Sequence, residues 1–177
     1  MTIYFIRHTS VDVPKGTCYG VTDVPLAETF KDEAAAVKRQ LQDISFDLVI
    51  SSPLSRSVKL ADYCGFKDPK CDWRVMEFDF GEWEMKNYDH LYKTDPRFPA
   101  WCDNYVDGEA PGGESFRMLV DRVKDFIDEI KKGKYDRVAV FTHGGVLASA
   151  LILAGEVDIN HAMENVPTYG SVVKLKF

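Results

Sequence analysis

Two short apolar runs, each ending at a histidine, constrain the fold of this chain most strongly. Residues 3–6 lead directly into Arg7 and His8, and residues 137–142 lead into His143. Runs of β-branched and aromatic residues without polar alternation are typical of strands that are buried on both faces of a sheet. Such a sheet needs helices on both sides. The runs therefore predict an α/β fold, a three-layer α/β/α sandwich with a mostly parallel central sheet.

The segments between these runs alternate between helix-like and strand-like patterns. Residues 31–41 are rich in Ala, Lys, Glu and Gln and predict a helix, whereas residues 46–51 predict a second strand. Across residues 114–132 apolar residues recur every three or four positions, which predicts an amphipathic helix that Gly133 ends. The remaining predicted elements are a helix that begins near Pro53, a short third strand at residues 73–76, a helix at 146–153 and a closing strand at 169–177.

Length, charge and composition exclude several classes of protein. The chain has 177 residues without a repeat or a linker, so we expect a single domain over residues 1–177. Its net charge of −6 offers no broad basic surface, which argues against nucleic acid but not against a small anion at a cluster of arginines. No apolar run approaches the ~20 residues of a membrane span, and the N-terminus lacks a secretion signal, so we expect a cytoplasmic protein without a membrane partner. The four cysteines lack the spacing of metal ligands, so we predict no metal site and no cofactor. The sequence makes no prediction about the oligomeric state.

Polar residues with phosphate-binding chemistry follow three of the predicted strands. Because the carboxyl ends of parallel strands meet at one edge of the sheet, His8 and His143 are expected there together. Each histidine alone is more often structural, but two of them, one beside Arg7 and the other leading into a helix N-terminus, indicate an anion site. Arg56, in the first turn of the helix after residues 46–51, reaches the same edge. Its planar fork suits phosphate oxygens, although a lone arginine is more often a solvated surface charge.

These residues stand in motifs that resemble the histidine phosphatase superfamily, also called phosphoglycerate mutase-like. The resemblance spans residues 7–145 in the family's order and implies the family's fold. Within the superfamily, three segments are most similar to the α-ribazole phosphatases of cobalamin nucleotide-loop assembly: Cys18-Tyr19-Gly20 with Thr22-Asp23, residues 79–84 and residues 111–115 (PGGES). The segments that carry the wider resemblance are Arg7-His8-Thr9, residues 20–26 (GVTDVPL), 51–56 (SSPLSR), 77–84 (EFDFGEWE) and 142–145 (THGG).

The resemblance implies a role for each site residue. His8 attacks phosphorus and becomes a phosphohistidine, while Arg7, Arg56 and His143 hold the phosphoryl oxygens and Glu77 donates the proton. It also implies substrate contacts from Gly144, Thr22 and Ser115. The chemistry agrees, since a neutral imidazole is a competent nucleophile and arginines can neutralise a phosphoryl group without a metal. We expect Arg7 and Arg56 to lower the pKa of His8 and keep it neutral.

The proton donor and the first loop leave alternatives open. Glu77, Asp79, Glu82 and Glu84 lie together, and by chemistry alone each is mostly a surface carboxylate. Only the alignment of the motif selects Glu77. The first loop departs from the family's pattern, because Thr9 replaces the glycine that is common there. Thr22 is also consistent with a capping turn, and Ser115 with the start of a helix.

Aromatic residues are concentrated in one segment. Residues 73–105 hold nine of the 22 aromatic side chains, and we expect most to pack and one or two to stack on a flat substrate group. The favoured function is a metal-independent phosphomonoesterase acting through a phosphohistidine, with α-ribazole 5′-phosphate as the small phosphorylated substrate. The alternatives are a phosphatase for other small phosphoesters, a phosphoglycerate mutase, and a phosphate-binding module without turnover.

Overall fold

One five-stranded sheet organises the computed structural model, which describes Met1–Phe177. In the order β3-β2-β4-β1-β5, the first four strands are parallel, and β5 pairs antiparallel with β1 at the edge. This confirms the predicted α/β fold with a mostly parallel sheet. The strands are β1 (Thr2–Arg7), β2 (Leu48–Ser51), β3 (Lys70–Cys71), β4 (Arg137–Thr142) and β5 (Val172–Lys176).

The side chains of β1 show why the sheet needs cover on both faces. Ile3 and Phe5 belong to a cluster of 26 buried residues, whereas Tyr4 and Ile6 belong to a separate cluster of nine. Successive side chains of a strand point to opposite faces, so the two clusters are the two faces of the sheet. Each fully buried side chain of this size contributes about 1.5–3 kcal/mol relative to exposure.

Helices supply the cover, as predicted. The first two helices contribute buried residues to the smaller cluster, and the last two contribute to the larger one. The two short helices in the middle of the chain belong to an excursion between β3 and the fifth helix. No helix is long and apolar enough to cross a bilayer. The helices are α1 (Phe30–Leu41), α2 (Ser55–Cys64), α3 (Tyr88–Thr94), α4 (Arg97–Cys102), α5 (Phe116–Lys131) and α6 (Gly144–Leu153).

Helix α5 follows the predicted pattern closely. All seven residues of its apolar stripe, from Phe116 to Ile130, are buried. It begins two residues later than the predicted start because Ser115 is its N-cap, with Oγ accepting from the Met118 N–H at 3.2 Å. A cap of this kind typically contributes ~1 kcal/mol to helix stability.

The predicted third strand at residues 73–76 is wrong. Trp73–Val75 form a 3₁₀ turn, and the short β3 lies just before it. The Asp72 carboxylate caps this turn by accepting from the Arg74 N–H at 2.9 Å, which favours the turn over an extended strand. Val75 is then buried in the core while Trp73 is exposed, so residues that look alike in the sequence face opposite environments.

Candidate active site

His8 is the first residue after β1 and is almost completely buried. Its backbone N–H continues the pairing with β4 by donating to the Thr142 carbonyl at 3.0 Å. The ring Nδ1 lies 2.7 Å from the Thr9 carbonyl oxygen. A carbonyl can only accept, so Nδ1 carries the proton and Nε2 keeps a free lone pair. The local backbone thus selects the tautomer that leaves Nε2 nucleophilic.

Burial is the main reason why His8 is neutral. The pKa of His8 falls to about 3, first because the ring is buried, then because of the charge of Arg56. The charge of Arg7 makes a smaller contribution in the same direction. From the sequence this shift was expected from the two arginines, but burial of the ring lowers the pKa more than either charge does.

Arg56 lies in the first turn of α2 and is also fully buried. Its Nη1 donates to the Thr22 carbonyl at 2.9 Å and its Nη2 donates to the Gly20 carbonyl at 2.5 Å. Its Nε donates to Nδ1 of His143 at 3.3 Å. Burial lowers the pKa of Arg56. All three nitrogens of the guanidinium therefore have a partner, and its orientation is fixed.

His143 follows β4 and is the N-cap residue of α6. Because its Nδ1 accepts from Arg56, the proton is on Nε2, which lies 2.7 Å from Ser52 Oγ. The ring is fully buried, its centroid is 5.1 Å from that of His8, and burial holds its pKa well below the usual value. The structure thus brings the two histidines together, and the charge of Arg56 lowers the pKa of both.

Arg7 provides a second positive charge beside His8. Its guanidinium lies 4.2 Å from the centroid of the Tyr169 ring, and Nη1 donates to the Pro167 carbonyl. Arg7 Nε and Thr9 Oγ1 are buried without any hydrogen-bond partner. Leaving a buried polar group unpaired costs about 1–3 kcal/mol, which an oxygen of a bound anion would offset. No group of three or more His, Cys, Asp or Glu side chains is arranged to hold a metal ion.

The four carboxylates of residues 77–84 occupy four different environments. Glu77 Oε1 accepts from the Gly145 N–H at 3.0 Å, at the start of α6 beside the histidines. Of the four carboxylates, only Glu77 lines the cavity that is described below. Asp79 accepts from a backbone N–H in its own turn. Glu82 is exposed and pairs with a surface arginine at 3.0 Å. Glu84 accepts hydrogen bonds from the loop at residues 20–22. The carboxylate selected by the motif is the one that lies at the start of α6, next to His143.

A cavity of about 450 Å³ extends from Arg7 and Glu77. Five of the nine aromatic residues in the segment 73–105 line it, more than the one or two expected. Of the others, Trp83 and Phe98 pack in the core, and Trp73 and Tyr92 are 64% and 62% exposed. The five that line the cavity are Phe78, Phe80, Tyr88, Trp101 and Tyr105.

Tyr19 and Tyr169 separate the cavity from the most deeply buried groups. Their hydroxyl oxygens are 2.5 Å apart, and both rings line the cavity. His8, Arg56 and His143 do not line it and are at most 1% exposed. The ring centroid of Tyr169 lies 5.4 Å from that of His8, so Tyr169 lies between this histidine and the cavity.

Comparison with known proteins identifies the family. The model of the histidine phosphatase superfamily (branch 1) matches residues 3–177. The chain belongs to this superfamily. A relative from Escherichia coli (strain K12), adenosylcobalamin/alpha-ribazole phosphatase, is 28% identical over 155 residues, covering 84% of this chain and 76% of that protein. Phosphoserine phosphatase 1 of Hydrogenobacter thermophilus is 27% identical over 158 residues, covering 86% and 74%.

Solved structures share the fold of this chain. Alpha-ribazole phosphatase from Shigella flexneri has the same fold with a TM-score of 0.87 and 24% identity, covering 98% of this chain and 89% of that one. Phosphoglycerate mutase from Thermus thermophilus matches with a TM-score of 0.78 and 28% identity, covering 98% and 92%. Together with the phosphatase-named relatives, membership of the superfamily makes this chain a histidine-type phosphatase.

Two of the predicted substrate contacts in this histidine phosphatase face away from the cavity. The Thr22 hydroxyl donates to Glu84 Oε2 at 2.5 Å, and only the Thr22 carbonyl turns toward Arg56. The Ser115 hydroxyl caps α5, and neither residue lines the cavity. Gly144 does line it, and a Cβ there would lie 3.0 Å from Cζ of Arg7, so a side chain would crowd the arginine.

Several cavity residues of this histidine phosphatase were not selected from the sequence, among them Tyr19, Lys15 and Tyr169. Tyr19 lies inside the Cys-Tyr-Gly motif, which the sequence offered as a signal without a role. Lys15 lies at the rim in a glycine-containing turn, and Tyr169 precedes β5. Tyr169 carries no local signal, because it reaches the site only through the antiparallel pairing of β5 with β1.

Proposed function

We propose that this phosphatase is a metal-independent phosphomonoesterase that works through a phosphohistidine on His8. The observation that carries the proposal is the state of the His8 ring. Its Nδ1 is engaged by the Thr9 carbonyl at 2.7 Å, burial keeps the ring neutral, and Nε2 retains its lone pair. A neutral imidazole in this tautomer is a competent nucleophile at phosphorus.

The reaction has two in-line steps. In the first, His8 Nε2 attacks phosphorus, the ester P–O bond breaks, and Glu77 gives its proton to the leaving oxygen. In the second, Glu77 takes a proton from water, the water oxygen attacks phosphorus, and the P–N bond breaks to release phosphate. The position of Glu77 beside the start of α6 and at the wall of the cavity supports this role.

Arginines supply the charge neutralisation. Arg56 is held rigidly by two backbone carbonyls, and Arg7 has a buried Nε without a partner. A phosphomonoester carries two negative charges, which two guanidinium groups balance, and fixed donors need no reorganisation as the transition state forms. His143 adds an N–H donor next to His8, at Nε2, which lies 2.7 Å from Ser52 Oγ.

The substrate proposal is α-ribazole 5′-phosphate, in cobalamin nucleotide-loop assembly. Its support is the cavity beside Glu77, most of whose lining residues are hydrophobic, with five aromatic rings from one segment. Stacking of a flat base on aromatic side chains contributes ~1–3 kcal/mol, which a small phosphorylated acid cannot use. The relative from Escherichia coli that carries this substrate in its name supports the same choice.

A comparison of substrates on one enzyme preparation tests this choice. We expect kcat/KM for α-ribazole 5′-phosphate to exceed that for 3-phosphoglycerate and phosphoserine by at least about tenfold. We also expect no interconversion of 3- and 2-phosphoglycerate. Parity among the three, or a preference for an acid, would remove the ribazole proposal and leave the phosphatase.

Trapping of the intermediate tests the mechanism. Rapid acid-free quenching during turnover should label His8 with phosphate that is stable to base and labile to acid, as a phosphoramidate is. His8→Ala should abolish both labelling and hydrolysis while the protein stays folded. Because arginines neutralise the phosphoryl group, chelators should leave the rate unchanged. Label on another residue, or loss of activity with EDTA and its return with Mg²⁺, contradicts the mechanism.

A further inference from the structure

Glu84 is the most heavily hydrogen-bonded carboxylate beside the active site. It follows the 3₁₀ turn at Gly81–Trp83, on the same segment as Glu77. A carboxylate has about four lone-pair positions, so five donors occupy all of them. The donors are the backbone N–H groups of Gly20, Val21, Thr22 and Phe80 at 3.1, 3.1, 3.2 and 3.1 Å, and the Thr22 hydroxyl at 2.5 Å.

The loop at residues 20–22, which donates hydrogen bonds to Glu84, also accepts hydrogen bonds from Arg56. The carbonyls of Gly20 and Thr22 accept from Arg56 at 2.5 and 2.9 Å. The N–H groups of these two residues therefore face the carboxylate, while their carbonyls face the guanidinium. The negative charge of Glu84 also acts on Arg56, as one of the charges that oppose the lowering of its pKa by burial.

Gly20 shows how closely the parts of this assembly fit. A Cβ at this position would lie 1.7 Å from the Phe78 carbonyl oxygen and 2.9 Å from Glu84 Oε1. Only glycine allows the loop to approach the segment of Glu77 and Glu84 at this distance. The segment that carries Glu77 thus also fixes the position of the loop at residues 20–22, whose carbonyls contact Arg56.

We propose that Glu84 is a positioning residue for phosphoryl transfer, which fixes the loop at residues 20–22 so that its carbonyls hold Arg56 in place. This rests on the proposed function, because it assigns Arg56 to the phosphoryl group. Glu84 does not line the cavity and has no free lone pair for a proton, so it acts only through the arginine. The role also explains why Thr22 faces Glu84 rather than the substrate.

Glu84→Gln is the first test. Whichever oxygen the amide NH₂ replaces, at least two donors lose their acceptor, since Oε1 serves two and Oε2 serves three. We expect kcat/KM to fall by at least about tenfold, the effect of about one lost hydrogen bond to a charged group. The loss should be equal for p-nitrophenyl phosphate and an alkyl phosphate, because proton donation is untouched. Glu82→Gln is the matched control, an exposed carboxylate in the same turn, and should change kcat/KM by less than about twofold.

A double-mutant cycle separates positioning from a general structural role. Arg56→Lys keeps a positive charge but lacks the fork that reaches both carbonyls. In the Arg56→Lys background, Glu84→Gln should lower kcat/KM by less than about twofold, because the guanidinium through which Glu84 acts is gone. Losses that multiply in the double variant overturn the proposal. If Glu84→Gln does not fold, Thr22→Val removes the shortest of the five bonds and takes its place in the same cycle, with the same two outcomes.

The trapping experiment distinguishes the two possible failures. If His8 carries no phosphate, the proposed function fails, whatever the Glu84 variants do. If His8 is labelled but Glu84→Gln behaves like Glu82→Gln, only the positioning role fails.

Discussion

At the residue scale, burial keeps His8 neutral. This state leads to a prediction about the pH dependence of catalysis. The pH profile of kcat/KM reports the ionisations of the free enzyme. Since the pKa of His8 is about 3, the profile should show no loss of activity from histidine protonation near pH 6.5. Measurement of kcat/KM between about pH 4.5 and 7.5 checks this. An acid limb near pH 6.5 that exceeds the second ionisation of the phosphomonoester itself, at about pH 6, would contradict the neutral state of His8.

The four carboxylates of residues 77–84 differ in environment, and the test of the proton donor follows from that difference. Glu77→Gln should slow alkyl esters by about 10²–10⁴-fold, the usual contribution of a proton donor. It should slow p-nitrophenyl phosphate far less, because p-nitrophenolate leaves without a proton. Equal losses on both substrates would contradict proton donation. Asp79→Asn, which affects only a turn bond at 2.8 Å, is the control and should leave the ratio of the two rates unchanged.

At the scale of elements, the start of α6 packs so closely against the segment of Glu77 that a side chain at Gly145 would clash with it. A Cβ on Gly145 would lie 2.5 Å from Glu77 Oε1 and 2.9 Å from Leu119 Cδ2. Gly145→Ala should therefore displace the Glu77 carboxylate and slow alkyl esters more than p-nitrophenyl phosphate. In a Glu77→Ala background, where the obstructing carboxylate is absent, Gly145→Ala should lower the rate on alkyl esters by less than about twofold. A large additional loss in that background would assign the effect to the helix instead.

Elements that depend on local pattern could be predicted from the sequence, and those that depend on distant contacts could not. The strands β1 and β4 are buried on both faces, so their apolar runs indicated both the strands and the histidines that follow them. The segment 73–76 was misread because one Asp72 hydrogen bond favours a turn over a strand there. Tyr169 reaches the site only because β5 pairs with β1, at the opposite end of the sequence.

The division of roles among the carboxylates shows the same limit. Glu77 and Glu84 lie on one short segment, and nothing in their sequence context assigns one to the cavity and the other to a loop. That assignment depends on the contact of residues 20–22 with this segment, which is set by tertiary packing. The motif selected Glu77 by resemblance, whereas the structure supplies the physical reason why Glu84 is occupied elsewhere.

At the scale of the whole molecule, two buried histidines make stability depend on pH. The pKa of His8 is about 3 in the folded chain and about 6.5 when unfolded, and burial lowers that of His143 in the same direction. Between these values the unfolded chain binds more protons, so the free energy of unfolding falls as pH drops from about 6.5 toward 3. The contribution of each histidine is up to about 1.4 kcal/mol per pH unit.

Urea unfolding at about pH 4 and pH 6 measures this dependence. His8→Gln removes one of the two groups, so the difference in unfolding free energy between the two pH values should shrink by up to about 2 kcal/mol. The surface change His161→Gln is the control and should leave the difference close to that of the wild type. A slope unaffected by His8→Gln would mean that His8 ionises equally in the folded and unfolded chain.

The cavity beside the proposed phosphate site, lined mostly by hydrophobic residues, has a calorimetric consequence. Transfer of apolar surface out of water gives a negative change in heat capacity, whatever the sign of the enthalpy. A phosphate ester with a flat aromatic group, bound to the inactive His8→Ala protein, should therefore release more heat as the temperature of the titration rises. Inorganic phosphate reaches only the arginines and should show almost no such trend. The temperature dependence of the binding heat thus reports whether the aromatic walls are in contact with the ligand, independently of any rate.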